Sequence, residues 1–273
     1  MNSKLTREVR QIAVDIDGVK YKISSDDNYL DHISKGFEPH MVKLFKVLAR
    51  DSTTILDIGG NIGCTAILFG TLAGKVHVFE PSQTTFSFLD KNVVDSGMKN
   101  IVLHNIGLGS ESMETTLTFA PSNRSGGFVS NQTSANSDHI VEKIVVRQLD
   151  EIATQLNFQQ LDFIKIDVEG FEGHVLRGAT ETLSRFQPIV TLELNHWCLN
   201  AFQRTSIPDF FDFLRSVFPV LYAVDGSSYM DLHDADQSYS VMYHHILNMK
   251  FLNIVGGFKE AQFSIFKSNY TNG

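Results

Sequence analysis

The sequence lacks several features that mark specialised classes of protein. Its 273 residues include only two cysteines, Cys64 and Cys198, which are far apart and form no CxxC pair, so we expect two small buried side chains. No stretch approaches the roughly 18 consecutive apolar residues of a membrane span. Since no secretory-signal pattern opens the chain either, we expect a cytoplasmic protein.

Basic charge is also scarce. Lysine and arginine together number 23 against 31 acidic residues, which gives a net charge of −8. A surface that follows nucleic-acid phosphates needs clustered lysine and arginine, and no such run occurs, so nucleic acid is not the expected partner. The hydrophobic fraction of 42% is typical of a globular protein, and the length suits one large α/β domain with an appendage. Nothing here indicates an oligomeric state.

The order of predicted elements indicates an α/β protein with an N-terminal extension. Residues 12–23 alternate between apolar and polar around an Asp-Gly turn, which predicts a β-hairpin, and residues 38–50 show helical spacing. We therefore predict an extension over residues 1–50 and a Rossmann-like domain over residues 51–273. In that domain short apolar strands alternate with helices, as in a parallel sheet covered on both faces.

An insertion at about residues 111–149 interrupts this alternation. Residues 113–119 alternate like an antiparallel strand, and residues 121–138 are so rich in serine, asparagine and glycine that they predict a long loop. Such loops often contact substrates, with plain disorder as the alternative.

A glycine-rich turn follows the first strand of the predicted sheet. In residues 55–63, an apolar strand leads through Asp57, Gly59, Asn61 and Gly63 directly into a helix. Glycines allow a ligand to approach the backbone closely, and the helix N-terminus offers free N–H groups. The Asp-x-Gly-x-Asn-x-Gly spacing differs from GxGxxG and suits a ligand with an amino-acid tail better than one with a pyrophosphate. Asp57 is expected to accept from the turn or to contact a cationic ligand group.

The next strands add further polar residues at their ends. Glu80 ends the strand after the turn, about 20 residues on, where a carboxylate accepts hydrogen bonds from both ribose hydroxyls of a nucleoside. Asn105 follows the third strand and either meets an adenine edge or simply forms a turn. Asp167 and Glu169 follow a later buried strand, and Glu193 follows the one after it. Together with the nearby His196, these carboxylates predict a polar cluster at the ligand-binding edge of the sheet.

Five segments together resemble the FkbM family of methyltransferases, namely residues 36–39, 56–63, 78–81, 163–172 and 189–193. The resemblance implies a class I fold, with a mostly parallel seven-stranded sheet that ends in an antiparallel hairpin. It also implies S-adenosylmethionine as methyl donor and a hydroxyl of a sugar, polysaccharide or secondary metabolite as acceptor. The family commonly has alanine in place of Gly60, and we expect the turn to tolerate either residue. The expected cofactor-binding residues are Glu38, Asp57, Gly59, Asn61, Gly63, Glu80, Asn105 and Asp167.

A hydroxyl is a poor nucleophile, so methyl transfer to oxygen needs a base or a metal. We expect His196 or Asp167 as the base, with Glu193 beside them. For His196, which flanks the only tryptophan, simple packing is the alternative. Magnesium is an alternative, held by oxygen atoms of Asp167, Glu193 and Asn195.

Two other functions fit the same elements less well. A nicotinamide-dependent oxidoreductase would use a similar sheet, but the turn lacks GxGxxG. A catalytically silent binding module would have no need of Asp57, Glu80 or the acidic cluster.

Overall fold

The N-terminal hairpin is present. The structure is a computed structural model, and it describes residues 8–130, 132 and 138–273. Strand β1 (Arg10–Ile16) pairs antiparallel with β2 (Val19–Ser25). The turn between them is Asp17-Gly18, and both residues have positive φ, as a two-residue hairpin turn requires.

The remaining elements alternate between strands and helices for much of the chain. The other strands are β3 (Ser52–Ile58), β4 (Ala73–Phe79), β5 (Ile101–His104), β6 (Gly107–Leu108), β7 (Met113–Ala120), β8 (Asn123–Phe128), β9 (Ile140–Arg147), β10 (Phe163–Ile166), β11 (Ile189–Glu193), β12 (Val220–Asp225), β13 (Ser228–Asp231), β14 (Asn253–Gly257) and β15 (Thr271–Asn272). The helices are α1 (Tyr29–Ile33), α2 (Pro39–Leu48), α3 (Cys64–Leu72), α4 (Gln83–Ser96), α5 (Leu149–Gln155), α6 (Glu172–Arg177), α7 (Thr180–Phe186), α8 (His196–Gln203), α9 (Ile207–Val217), α10 (Ala235–Asn248) and α11 (Ser264–Asn269), with a 3₁₀ turn at Glu260–Phe263.

The main sheet confirms the predicted Rossmann-like α/β class. Its strand order is β15-β13-β12-β14-β11-β10-β3-β4-β5. The five strands from β11 to β5 run parallel, and β14 lies antiparallel between β11 and β12. The sheet has nine strands where seven were expected, because the short strands β13 and β15 extend its edge. Helix α10 separates β12 from β14 in sequence, so these two strands do not form the expected simple hairpin.

The insertion forms three strands of a second, four-stranded sheet in the order β6-β9-β7-β8, and the fourth strand, β6, comes just before the insertion. The prediction of a loop over residues 121–138 is wrong at β8, which pairs with β7 across a register shift. An edge strand needs main-chain pairing on one side only, so its polar, glycine-containing sequence is compatible with this position. Residues 131 and 133–137 lie outside the described part of the chain.

Two apolar layers cover the faces of the main sheet. One layer joins the hairpin with α2 and α3, so Val14 and Ile23 are buried in the same core as Ile67. The other layer consists mainly of side chains from α5 to α9, such as Phe210 and Leu214. In the described residues, no helix has the length and apolar character needed to cross a membrane.

Candidate functional site

A cavity of about 260 Å³ opens at the carboxyl ends of β3, β4, β10 and β11. We call it the main cavity. Six of the predicted site residues line it: Glu38, Gly59, Asn61, Glu80, Asp167 and Glu193. These residues come from five different segments of the chain, and the parallel strands bring their ends to one edge. The edge of the main sheet at which we predicted ligand binding therefore contains a cavity.

The turn after β3 requires glycine at Gly59. Its φ is +82°, and a Cβ there would lie 1.9 Å from the carbonyl oxygen of Asp167. The N–H groups of Gly59 and Gly60 both donate to the Phe79 carbonyl at 3.0 Å, which ties the turn to β4. The backbone is thereby fixed close beneath the space that a ligand would fill.

Two other glycines of this turn serve packing. A Cβ on Gly63 would meet Leu89 at 2.8 Å, and Gly63, a predicted cofactor contact, does not line the main cavity. A Cβ on Gly60 would lie 2.3 Å from Cγ1 of Val78. The expectation that Gly60 tolerates alanine easily is therefore wrong here, because Val78 would have to shift.

Glu80 is buried and links the turn to the start of α4. Its Oε2 accepts from the Asn61 N–H at 3.0 Å, and its Oε1 accepts from the Ser82 N–H at 2.9 Å. Burial raises the pKa of Glu80 to about 7, although these two bonds act in the opposite direction. A ribose hydroxyl placed here would meet an oriented acceptor.

Asn105 does not line the main cavity. Its Nδ2 donates to the carbonyls of Glu80 and Pro81 at 2.9 and 3.2 Å. The turn-forming alternative for Asn105 is thus the one that the structure shows, and the residue supports Glu80 from behind.

Asp57, predicted to accept from the turn or to contact a ligand, does not reach the main cavity. The side chain is 0% exposed, and Oδ1 lies 3.4 Å from Nζ of Lys165. Burial raises the pKa of Asp57 to about 6, against the opposing effect of the Lys165 charge. Lys165 also lies 3.4 Å from Oδ2 of Asp167 and donates to the Gly59 carbonyl at 2.7 Å. Burial alone would lower the pKa of Lys165, but Asp167 and Asp57 outweigh it, so the pKa is raised.

Three carboxylates form an acidic cluster at the ends of β10 and β11. Ligating oxygens of Asp167, Glu169 and Glu193 all lie within 4.8 Å of one another. Burial, reinforced by the Asp167 charge, raises the pKa of Glu169 to about 7 and that of Glu193 well above its ordinary value. Asp167 is the most open of the three, with 45% of its side chain exposed.

The structure does not bring His196 or Asn195 into this cluster. Asn195 caps α8, and its Oδ1 accepts from the Cys198 N–H at 3.2 Å. His196 packs edge-on against His245, with ring centroids 5.1 Å apart, and lines neither the main cavity nor the cavity beside it. The expected base His196 and the expected metal ligand Asn195 are thus placed elsewhere, since His196 packs on His245 and Asn195 caps α8.

Sequence reasoning missed three residues at this site. Tyr29 and Arg124 line the main cavity, from α1 and β8 respectively. Neither residue belongs to a recognisable pattern, since each is brought to the site by long-range packing. Lys165 did carry a signal, because a lysine inside the otherwise apolar strand β10 needs buried partners.

A second cavity, of about 440 Å³, adjoins the first over β10, β11, β12 and β14. We call it the side cavity. Glu38, Asp167 and Glu193 line both cavities. Asp225 and Asn253 add polar groups to the side cavity, and Leu252 adds an apolar one. Two molecules bound side by side would therefore meet at Asp167.

Comparison with known proteins gives a match over most of this region. Residues 57–221 match the family model described as methyltransferase FkbM domain, which is more than half of the chain.

Curated proteins similar to the chain include three with methyltransferase names. Methyltransferase 1 of Beauveria bassiana is 29% identical over 146 residues, which cover 47% of this chain and 59% of that protein. Hexuronic acid methyltransferase AglP of Haloferax volcanii is 29% identical over 151 residues, with coverages of 54% and 58%. The 2-O-methyltransferase NoeI of Sinorhizobium fredii is 25% identical over 165 residues, with coverages of 55% and 66%. The matched segments thus span less than two thirds of each relative.

Proposed function

The chain belongs to the FkbM methyltransferase family, and from this premise we propose that it is an S-adenosylmethionine-dependent O-methyltransferase. One observation carries the proposal: the turn at Gly59, the ribose-type acceptor Glu80 and the acidic cluster all face one cavity. S-adenosylmethionine carries a ribose, an ammonium group and a sulfonium group. Glu80 suits the ribose hydroxyls, and the carboxylates suit the two cationic groups.

The acceptor in this proposal occupies the side cavity. Asp167 and Glu193 line both cavities, so a hydroxyl entering over β10 and β11 would approach the methyl group beside them. The polar groups of Asp225 and Asn253 offer hydrogen-bond partners to a polyhydroxylated molecule. The names of two relatives, a hexuronic acid methyltransferase and a 2-O-methyltransferase, support a sugar hydroxyl as the acceptor.

The protein's main contribution to the reaction is placement. Methyl transfer is an in-line displacement at a carbon bound to sulfur, and the cofactor supplies the reactive methyl group. Holding the acceptor oxygen close to that carbon accounts for about 7–11 kcal/mol of the barrier in well-oriented reactions. In our proposal Asp167 takes the hydroxyl proton, since it is the most exposed carboxylate of the cluster and faces both cavities.

Lys165 positions that base. Its Nζ lies 3.4 Å from Oδ2 of Asp167 and donates to the Gly59 carbonyl, so one side chain holds both the carboxylate and the cofactor turn.

A magnesium ion is a second proposal for the same cluster. The oxygens of Asp167, Glu169 and Glu193 are hard ligands of the kind magnesium prefers, and Oε2 of Glu193 is buried with no hydrogen-bond partner among the described residues. A magnesium ion there would lower the pKa of an acceptor hydroxyl.

A transfer assay tests the proposed function. The protein is incubated with methyl-labelled S-adenosylmethionine and a panel of neutral, acidic and amino sugars, with and without EDTA, and products are read by mass spectrometry. We expect a methyl ether on at least one sugar, and a rate about 10²–10⁴-fold lower in Asp167→Asn, which lacks the base. The control is Glu181→Gln, an exposed residue outside both cavities.

Methyl transfer to nitrogen or carbon alone would contradict the proposal of an O-methyltransferase. A rate that EDTA abolishes and added Mg²⁺ restores would favour the metal. A rate that EDTA leaves unchanged would contradict the proposal of a magnesium ion.

A further inference from the structure

The main cavity is unusually one-sided in charge. Its lining includes the five carboxylates Glu38, Glu80, Asp167, Glu169 and Glu193. Among the described residues that line it, Arg124 is the only lysine or arginine. An amino-acid tail carries a carboxylate as well as an ammonium group, and Arg124 is the one cationic side chain in the described lining that could pair with that carboxylate.

Arg124 is held rigidly by acidic and aromatic neighbours. Its side chain is only 4% exposed, and its guanidinium forms ion pairs with Asp26 and Asp27. Its NH2 group donates to Oγ of Ser25 at 3.0 Å, and the guanidinium lies 5.1 Å over the ring of Phe88. The main chain is fixed as well, because the Arg124 N–H donates to Oδ2 of Asp27 at 3.0 Å. The charge is therefore oriented before any ligand arrives.

One donor of this guanidinium is left over. Nε of Arg124 is buried and has no hydrogen-bond partner among the described residues. Buried donors without a partner are rare in native proteins, because leaving them unpaired costs free energy. A ligand carboxylate that reaches the guanidinium from the cavity would form charge-assisted hydrogen bonds with it, which arginine makes well with carboxylates.

Arg124 lies close to the glycine turn through Asp27. Oδ1 of Asp27 accepts from the Tyr29 N–H at 3.3 Å, and Tyr29 lines the same cavity. Burial, with added effects from the nearby Cys64 and Glu38, raises the pKa of Tyr29 well above its ordinary value. Asn61, in the turn that leads into α3, also lines this cavity, so Arg124 shares the cavity with the start of that helix, where an amino-acid tail is expected to lie.

We infer that Arg124 binds the carboxylate of the methionine tail of the cofactor. This inference rests on the proposed function. It makes the β-sheet insertion part of the cofactor site, since β8 supplies the only cation in the described lining.

Removing the carboxylate from the ligand and the arginine from the protein tests the inference. Calorimetry measures the binding of S-adenosylhomocysteine and of its decarboxylated analogue, which differs only by that carboxylate. Both ligands are titrated into the unaltered protein and into Arg124→Gln. We expect Arg124→Gln to weaken S-adenosylhomocysteine about 10- to 100-fold and the analogue less than about 3-fold. The matched control is Arg147→Gln, because Arg147 belongs to the same small sheet but does not line the main cavity.

Equal weakening of both ligands by Arg124→Gln would overturn the inference, since it would show that Arg124 only supports the fold. An unchanged affinity for S-adenosylhomocysteine would overturn it too. If Arg124→Gln does not fold, the same comparison is made with Arg124→Lys, which keeps the charge; the inference then requires a loss for S-adenosylhomocysteine that exceeds the loss for the analogue. Failure of the unaltered protein to bind either ligand would instead contradict the proposed function itself.

Discussion

Lys165 lies between two carboxylates, and this position decides which acidic residue can meet a ligand. Asp57 is sealed beneath it, whereas Asp167 remains 45% exposed above it. A buried lysine with no partner would lose its charge, so each of the three groups depends on the others. The strand motif around Lys165 thus presents one carboxylate to the cavity and uses the other to hold the lysine.

The raised pKa of Glu80 predicts that the binding of the cofactor depends on pH. Because burial raises its pKa to about 7, the group binds a proton at lower pH, while donating ribose hydroxyls would favour the charged form. Binding below about pH 7 must then release that proton. We expect the affinity for S-adenosylhomocysteine to rise by up to about tenfold per pH unit until about pH 7 and to level off above it.

Calorimetry across this pH range checks the prediction. Glu80→Gln cannot titrate, so its affinity should be lower at neutral pH and should change less with pH. If the affinity of Glu80→Gln rises with pH below pH 7 as steeply as that of the unaltered protein, another group is responsible for the pH dependence.

Single residues differ in how far the sequence could place them. Glu80, Gly59 and Asp167 follow strands directly, and residues at strand ends of a parallel sheet share one edge. His196 and Asn195 also follow a strand, but the direction of α8 takes them away from the cavity. There His196 packs against His245 of α10, a long-range contact for which the local sequence has no signal.

At the scale of elements, the turn between β10 and α6 is held by a buried acid. Glu169 and Gly170 both have positive φ, which is unfavourable for glutamate. Oε1 of Glu172, the first residue of α6, accepts from the N–H groups of Val168 and Gly170 at 3.0 and 3.3 Å. The turn that presents Asp167 and Glu169 is thereby fixed from inside the protein.

The pKa of Glu172 yields a prediction about stability. Burial raises this pKa from 4.5 to about 7, so the folded state holds the proton more tightly than the unfolded chain does. Its stabilising contribution is then complete below about pH 4.5 and is lost as the pH rises to about 7. The free energy of unfolding falls by at most about 3 kcal/mol over this pH range.

Urea unfolding between about pH 5 and about pH 8 measures this effect. Glu172→Gln should lose less stability over the range than the unaltered protein, while the exposed Glu181→Gln should lose as much. Parallel curves for Glu172→Gln and the unaltered protein would contradict the assignment.

Elements with strong patterns were predictable, and β8 was not. The alternation in β1 and β2 and the helical spacing of α2 reflect burial of one face, which the sequence records directly. Strand β8 lies at the edge of a small sheet and consists of residues 123–128, which include two glycines. Its pairing with β7 depends on the rest of the insertion, so composition alone suggested a loop.

At the scale of the whole molecule, the main cavity is assembled from three segments. The extension supplies Tyr29 and Glu38, the main sheet supplies Glu80 and Asp167, and the insertion supplies Arg124. The motifs of the sheet could be recognised in the sequence because their spacing follows from the turn. The contributions of the other two segments could not, because they depend on contacts such as Arg124 with Asp27, 97 residues apart.

Calorimetry tests whether the main cavity binds S-adenosylmethionine. It is done with the unaltered protein, Glu80→Gln and Glu181→Gln, and NADH is titrated separately as the alternative ligand. We expect S-adenosylmethionine to bind the unaltered protein and Glu181→Gln equally and to bind Glu80→Gln about 10- to 100-fold more weakly. NADH should not bind. Binding of NADH without S-adenosylmethionine would contradict the account and favour an oxidoreductase.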